Sequence, residues 1–367
     1  MNPVLKPALS PDTFTQAIRA AAADGKPLRI QGGGTKDFYG QVLAGEVLDT
    51  RAYRGIVDYE PTELVITARC GTPLAEIEAA LAEHRQMLAF EPPHFGVGAT
   101  LGGTVACGLA GPRRAAQGLY YGSVRDHMLG AKLMNSEGVA LAFGGTVMKN
   151  VAGYDVSRVI AGSLGTLGLI LEVSIKVLPC PVAKRSLRLA LDEKMALARL
   201  CEWGGQPLPI SASAWSDGEL CLRLEGAEAA VKSAAARLGG EAVPAGEADA
   251  YWQGLREQTD GFFAGDLPLW RLSLPSTAAP ISLPGKQLIE WSGAQRWFRT
   301  SAAADEVRAA AARAGGHATL FRAGGVLKEG LSVFTPLDVV QARIQRNLKQ
   351  AFDPRGIFNP GRLYREF

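Results

Sequence analysis

A chain of 367 residues has room for two domains with sizeable cores. Its 47% hydrophobic and 20% charged residues match an ordinary soluble globular protein. A formal charge of +3, with no basic block carrying interleaved aromatics, argues against nucleic acid as a partner.

The N-terminus, MNPVLKPALSPDTFTQ, lacks the apolar core of a secretory signal, and no run reaches the roughly 18 apolar residues of a membrane span, so a cytoplasmic protein is expected. PDTFTQAIRAAAAD, residues 11–24, reads as a helix entered through Pro11 and closed by Gly25. PLRI is a buried strand running into the glycine loop of RIQGGGTKDFYG. A short strand, a turn and the strong strand ELVITARC follow, then a helix starting near Thr72 and Pro73. The stretch from EPPHFG to DHMLG is loop-rich, strands follow at AKLMNS and VALAFG, and a mixed segment ends at Pro179 and Pro181. That double proline is the expected domain boundary and closes a first domain at residues 1–182.

Beyond it, two stretches share one order. ELCLRLEGAEAAVKSAAARLGGEAV and AQRWFRTSAAADEVRAAAARAGGHATLFR each read as strand, alanine-rich helix, Gly-Gly stop and strand. The duplication predicts a ferredoxin-like α+β domain with an antiparallel sheet over residues 183–345. Residues 346–367 then form a final helix and an extended end broken by proline and glycine.

The 43 glycines, about 12% of the chain against a usual 7%, cluster in residues 30–170. No Walker A loop is present, and no GxGxxG sits between a strand and a helix as a Rossmann site needs. Instead there are three glycine loops: Gly32 to Gly34; Gly96, Gly98, Gly102, Gly103, Gly108 and Gly111; and Gly162, Gly165 and Gly168. Successive tight turns expose backbone N–H groups that form concave anion sites, and two such loops can hold a diphosphate between them.

Taken in order, RIQGGGTK, PTELVITARCGTPLAEIEAAL, ATLGGTVACGLAGPRR, YGSVRDHMLGAKLMNSEG and KNVAGYDVSRVIAGSLGTLGLILEVSIKVLP resemble the FAD-binding domain of the vanillyl-alcohol oxidase/PCMH flavoprotein family. The tail AFDPRGIFNPGRL resembles the closing segment of that family's 2-hydroxyacid dehydrogenases. The resemblance implies an α+β chain: a PCMH-type FAD-binding domain of two subdomains, a ferredoxin-like α+β cap, and a C-terminal segment that returns to the FAD domain. It also implies FAD as cofactor. Gly32, Gly33, Gly34, Thr35 and Lys36 match the first diphosphate loop. Gly98, Thr100, Leu101, Gly102, Gly103 and Thr104 match the second. Tyr121, Gly122 and Asp126 match the segment that closes around the cofactor, and Gly165, Thr166, Leu167, Gly168 and Ile170 match the loop and strand near adenine-ribose and ring edge. Thr35 and Thr104 can donate O–H bonds to phosphate, and Lys36 adds charge or is simply solvated. Asp126 would be repelled by phosphate, which leaves it a structural or ring-facing role.

Some family members attach flavin through a histidine in or beside the first loop. GGGTK has none, so non-covalent FAD is expected, with His94 in EPPHFG the one nearby alternative. Catalytic members also carry a histidine-rich, metal-binding stretch in the cap, whereas residues 183–345 hold only His317. His317 as a base, and Arg271 or Arg296 as carboxylate clamps, are the catalytic candidates, each also readable as structural. Cys70, Cys107, Cys180, Cys201 and Cys221 form no CxxC and His84, His94, His127 and His317 no close pair, so no metal or iron–sulfur cluster is expected in this chain.

Within the family the chain is similar to the small FAD-binding subunits of multi-subunit glycolate dehydrogenases. That likeness implies a larger FAD-linked catalytic subunit and an iron–sulfur subunit as partners, with glycolate oxidised by the complex and membrane association only through partners. An autonomous 2-hydroxyacid dehydrogenase and a flavin-free scaffold are the alternatives. The basic run Arg343, Arg346, Lys349, Arg355, Arg362 and Arg365 reads either as a docking face or as a solvated helix and packed tail.

Overall fold

The computed structural model describes residues 10–113, 122–146, 155–324 and 331–367. The first domain holds α1 (Pro11–Asp24), β1 (Leu28–Gln31), β2 (Glu46–Asp49), β3 (Ile56–Glu60), β4 (Val65–Arg69), α2 (Leu74–Glu83), β5 (Gln86–Met87), α3 (Leu101–Cys107), α4 (Val124–His127), β6 (Met128–Met134), β7 (Ala140–Gly144), β8 (Leu169–Lys176) and β9 (Leu178–Pro179). Helix α1 starts where Ser10 accepts the Asp12 N–H and Pro11 needs no partner, and stops at Gly25 with φ 64°. Its buried Phe14, Ile18 and Ala21 repeat at helical spacing and face the core.

Three sheets lie in this domain, the smallest being the short antiparallel pair β5–β9. Strands β1 and β2 pair in parallel, and a five-stranded sheet runs β3-β4-β8-β6-β7. Strand β8 is its centre, and Leu169, Ile170, Leu171, Val173 and Ile175 are all buried, the near-continuous apolar run of a strand covered on both faces. One core joins these strands to α1, α2 and α3.

The second domain contains β10 (Ala183–Ala190), α5 (Glu193–Gly204), β11 (Ile210–Ser216), β12 (Glu219–Gly226), α6 (Glu228–Leu238), β13 (Glu241–Val243), α7 (Ala245–Glu257), β14 (Leu269–Ser273), β15 (Lys286–Glu290), β16 (Gln295–Arg299), α8 (Ala304–Arg313) and β17 (His317–Arg322). One eight-stranded sheet runs β13-β10-β12-β11-β15-β16-β14-β17. Its first four strands have the 4-1-3-2 order of a ferredoxin-like unit, and its last four repeat that order in reverse. The two units meet edge to edge where Ala214 and Trp215 of β11 pair with Glu290 and Ile289 of β15. The repeated sequence stretches therefore occupy equivalent places, β12-α6-β13 and β16-α8-β17. The second unit differs by crossing from β14 to β15 without a helix.

Helices α5, α6 and α8 cover one face of this sheet. The other face, with Ala214, Cys221, Trp297 and Phe321, packs on α7 and on Tyr39, Leu109 and Leu164 of the first domain. The sheet thus caps the glycine loops. Helix α9 (Val339–Phe352) runs across the expected limit at residue 345, so the return to the first domain begins inside one helix. The tail then joins β1, with the Leu28 N–H donating to the Ile357 carbonyl and the Asn359 N–H to the Leu28 carbonyl. Among the described residues no helix is long and apolar enough to cross a membrane.

Candidate functional site

The first two glycine loops touch backbone to backbone. A β-carbon on Gly33 would lie 1.5 Å from the Gly98 carbonyl oxygen, and one on Gly32 would lie 2.4 Å from Thr100 Oγ1. Gly34 turns the chain at φ 71°. Thr100 caps α3 by accepting the Gly103 N–H, and Gly102 lets that helix seat on Cys70. The resulting crevice is lined by Gly32 to Asp37, Thr100, Gly103, Cys107 and Leu164.

Lys36 and Arg362 are the cations on the crevice wall, and Lys36 is the one without an anchoring set of carbonyls. Lys36 is 7% exposed, and among the described residues its ammonium meets Thr35 Oγ1 at 3.4 Å, the His94 carbonyl at 3.2 Å and the Phe95 ring at 5.7 Å. No described carboxylate pairs with it, and burial lowers its pKa while the more distant Cys107 and Glu257 pull the other way. A buried ammonium beside a cradle that admits no side chain is a place for an anion. The residues therefore fit the diphosphate of FAD.

Other expected residues lie elsewhere. Leu101 and Ile170 are core side chains, and Thr104 is buried with its Oγ1 unpartnered, off the crevice wall. Asp126 accepts the Ser123 N–H and hydroxyl and so braces the start of α4, against which Gly122 fits because a β-carbon there would meet the Asp126 carboxylate at 2.7 Å. Tyr121 falls outside the described residues. Thr166 and Leu167 line a separate cavity of about 560 Å³ with Arg125, Asp155 and Arg158. Gly165 turns at φ 74° against Asn359, and Gly168 passes the Met134 carbonyl.

The tail closes the site. Asn359 accepts the Ile30 N–H at 2.8 Å and donates to the Leu164 carbonyl at 2.6 Å, joining the first loop's strand to the third loop. Arg362 donates to the carbonyls of Asp37, Tyr39 and Gln41, just past the first loop. Lys349 donates to the Thr166 and Phe358 carbonyls and pairs with Asp353. Two members of the basic run are thus buried braces, while Arg343, Arg346, Arg355 and Arg365 stay exposed. The signal for Asn359 and Arg362 was the tail's likeness, which did not say what they grip.

On the cap, Arg271 reaches the Tyr39 hydroxyl at 3.1 Å and lies over the Tyr39 and Phe321 rings, with no described carboxylate partner. His317 and Thr319 share its face of the sheet, and all three line a cleft of about 730 Å³. Partial burial, then the positive Arg271, pull the His317 pKa below its ordinary value. Arg296 is not there. It is fully buried on the opposite, helix-covered face, where it donates to the carbonyls of Ala278, Ala279 and Gly293 and fills the place of the missing crossover helix. It cannot also clamp a carboxylate in the cleft. His94 turns its Nε2 to Glu78 at 3.1 Å.

Residues 7–144 match the family described as FAD binding domain. The chain is 51% identical over 351 residues to glycolate oxidase subunit GlcE of Escherichia coli (strain K12), covering 96% of each. It is 29% identical to glycolate oxidase subunit GlcD of Bacillus subtilis (strain 168) over 51% of this chain and 39% of that one. An alkyldihydroxyacetonephosphate synthase structure superposes with a TM-score of 0.64 at 15% identity, covering 95% of this chain and 75% of the other, a likeness of fold.

Proposed function

The chain belongs to the family of glycolate oxidase subunit GlcE, and from that premise we propose that it is the FAD-holding subunit of a multi-subunit glycolate oxidase, oxidising glycolate to glyoxylate as a complex. The observation that carries this reading is the crevice between the crossed loops, with the unpaired Lys36 ammonium at its wall. Lys36, Thr35 and the N–H groups of residues 32–36 would hold the diphosphate, with non-covalent attachment because the loop carries no histidine. Bound there, FAD supplies acceptance and release of an electron pair. The chain's own residues do the rest: the cap sheet shields the crevice, and Asn359 and Arg362 fix the loops that hold the cofactor. A GlcD-type subunit is the partner the family points to. In this reading an iron–sulfur subunit takes the electrons from the flavin.

Arg271 and His317 on one cleft favour a second reading, a chain that oxidises a small hydroxy acid by itself. One experiment separates the two. The chain is purified alone, its absorbance recorded, then acid-precipitated, and glycolate is added to a second portion. Flavin bands that move to the supernatant and survive glycolate until partners are added support the subunit. Bleaching by glycolate alone supports the second reading. A colourless chain that refuses added FAD overturns both.

A further inference from the structure

The cap sheet buries a carboxyl group that has no cation. Glu290 ends β15, is 4% exposed and faces the first domain. Its Oε2 accepts from Trp297 Nε1 at 2.6 Å and Gln295 Nε2 at 2.9 Å, and its Oε1 accepts from none of the described residues. The titratable and charged groups around it are Glu91, tied up by Arg223 and Arg113, Tyr251 on α7, and Arg256 and Arg271 on the wall of the adjoining cavity. Burial pushes the carboxyl up to about 7, the donors from Trp297 and Gln295 work against that, and the Glu91 charge adds to it.

The backbone there is unusual. Trp291 and Ser292, directly after Glu290, have φ of 53° and 54°, followed by Gly293 at 96°. Two successive non-glycine residues in the left-handed region are strained. They aim the Trp291 indole at the Gly111 carbonyl, at 3.0 Å, and so press Glu290 against the glycine-rich segment that follows α3. Between them is a cavity of about 20 Å³, walled by Phe95, Leu109, Gly111, Glu290, Gln295 and Arg271. That volume holds one water, and polar atoms on two sides suit it. Arg271 also lines the large cleft with His317.

We propose that Glu290 is a proton-holding group, joined through one buried water to Arg271 and the cleft. The acid O–H bond breaks and a new one forms on the water, which passes a proton of its own to water in the cleft that Arg271 also lines. The carboxylate left behind is held by Trp297 and Gln295, Arg271 orients the water by donating to its oxygen, and no electrons move. The purpose rests on the flavin reading, because a flavin that gains an electron pair also gains protons and a shielded one must receive them from inside. The existence of the held proton does not rest on it.

The test uses the full chain and Glu290→Gln, which keeps an acceptor for Trp297. Infrared spectra between pH 5.5 and 8.5 should show a protonated-carboxyl band in the wild type that fades around pH 7 and is missing from the variant. Absence of that band from the wild type at pH 6, or its persistence in the variant, overturns the proposal. In the FAD-loaded chain, proton uptake from an indicator dye during reduction by dithionite should slow at least tenfold in Glu290→Gln. Unchanged uptake with flavin present overturns the relay alone. A chain that binds no flavin removes both the relay and the functional reading, and the infrared result then stands by itself.

Discussion

Gly33 and Gly98 cross so closely that no side chain fits between them: a β-carbon on the first would lie 1.5 Å from the carbonyl oxygen of the second. Two loops 65 positions apart in sequence therefore form one surface, and the crevice exists only while both are bare backbone.

Gly33→Ala should sharply weaken flavin binding. The obstacle is a carbonyl, which cannot rotate away as a side chain would, so the loops must separate. We expect a loss of at least tenfold in FAD affinity and a lower melting temperature, measured by fluorescence titration and thermal unfolding. Gly246→Ala is the control. It lies in α7 with open space around it, and should be neutral or stabilising by up to about 1 kcal/mol. Normal flavin content in Gly33→Ala would show that the loops do not grip the cofactor.

Lys36→Met should weaken FAD binding by about 10- to 100-fold, the value of one charge-assisted hydrogen bond of roughly 1.5–3 kcal/mol. The pH dependence is the sharper readout. Burial lowers the Lys36 pKa in the free chain, and a bound diphosphate would raise it. Binding then takes up a proton at alkaline pH, so affinity falls as pH rises through the free-chain pKa. The methionine variant should lose that alkaline slope. A slope that survives the substitution belongs to another group.

Much of this was legible because the loops are local. Three glycine clusters in a fixed order identify their fold from sequence, and the paired strand–helix–strand stretches became equivalent quarters of one sheet. What was not legible depends on distant partners. Arg296 looks like a free guanidinium in a strand until the crossover from β14 to β15 proves to lack a helix, leaving carbonyls for it to satisfy. Nothing in the sequence marks Glu290, because its burial comes from β15 packing toward Leu109 and Gly111, far away in the chain. For Lys349 and Arg362 the sequence leaves a docking face and a packed tail both open, because spacing does not reveal that Asp353 anchors one at the end of α9 and the tail folds the other onto the Tyr39 carbonyl.

Arg362→Ala should cost about 2–4 kcal/mol, because three carbonyls beside the first loop lose their donor. Arg362→Lys should recover only part, since one ammonium cannot copy a planar fork. Urea midpoints and flavin content should fall together in both variants. A stable Arg362→Ala chain with full flavin would mean that the tail does not set the loop.

The joint between the domains should give stability two opposite pH slopes. Arg223 donates to both Glu91 oxygens, at 3.0 and 2.9 Å, while Arg113 reaches Glu225 at 3.0 Å, so four charges from two domains balance. Burial alone would raise the Glu91 pKa; Arg223 and Arg113 outweigh it and hold it at about 2, against an ordinary 4.5. A depressed carboxyl stabilises the fold above 4.5, and that support, of order 3 kcal/mol, drains away as pH falls toward 2. Glu290 acts the other way: its raised pKa favours the fold fully below 4.5, and the benefit is lost as pH rises through about 7. Glu91→Gln should therefore flatten the acid limb of a urea-midpoint profile and cost about 3–5 kcal/mol at neutral pH, because Arg223 and Arg113 are left in excess. Adding Arg223→Met should restore part of that loss. Glu290→Gln should flatten only the limb between pH 4.5 and 7. If Glu91→Gln costs nothing at pH 7, or the two variants alter the same limb, the joint is not held by these charges.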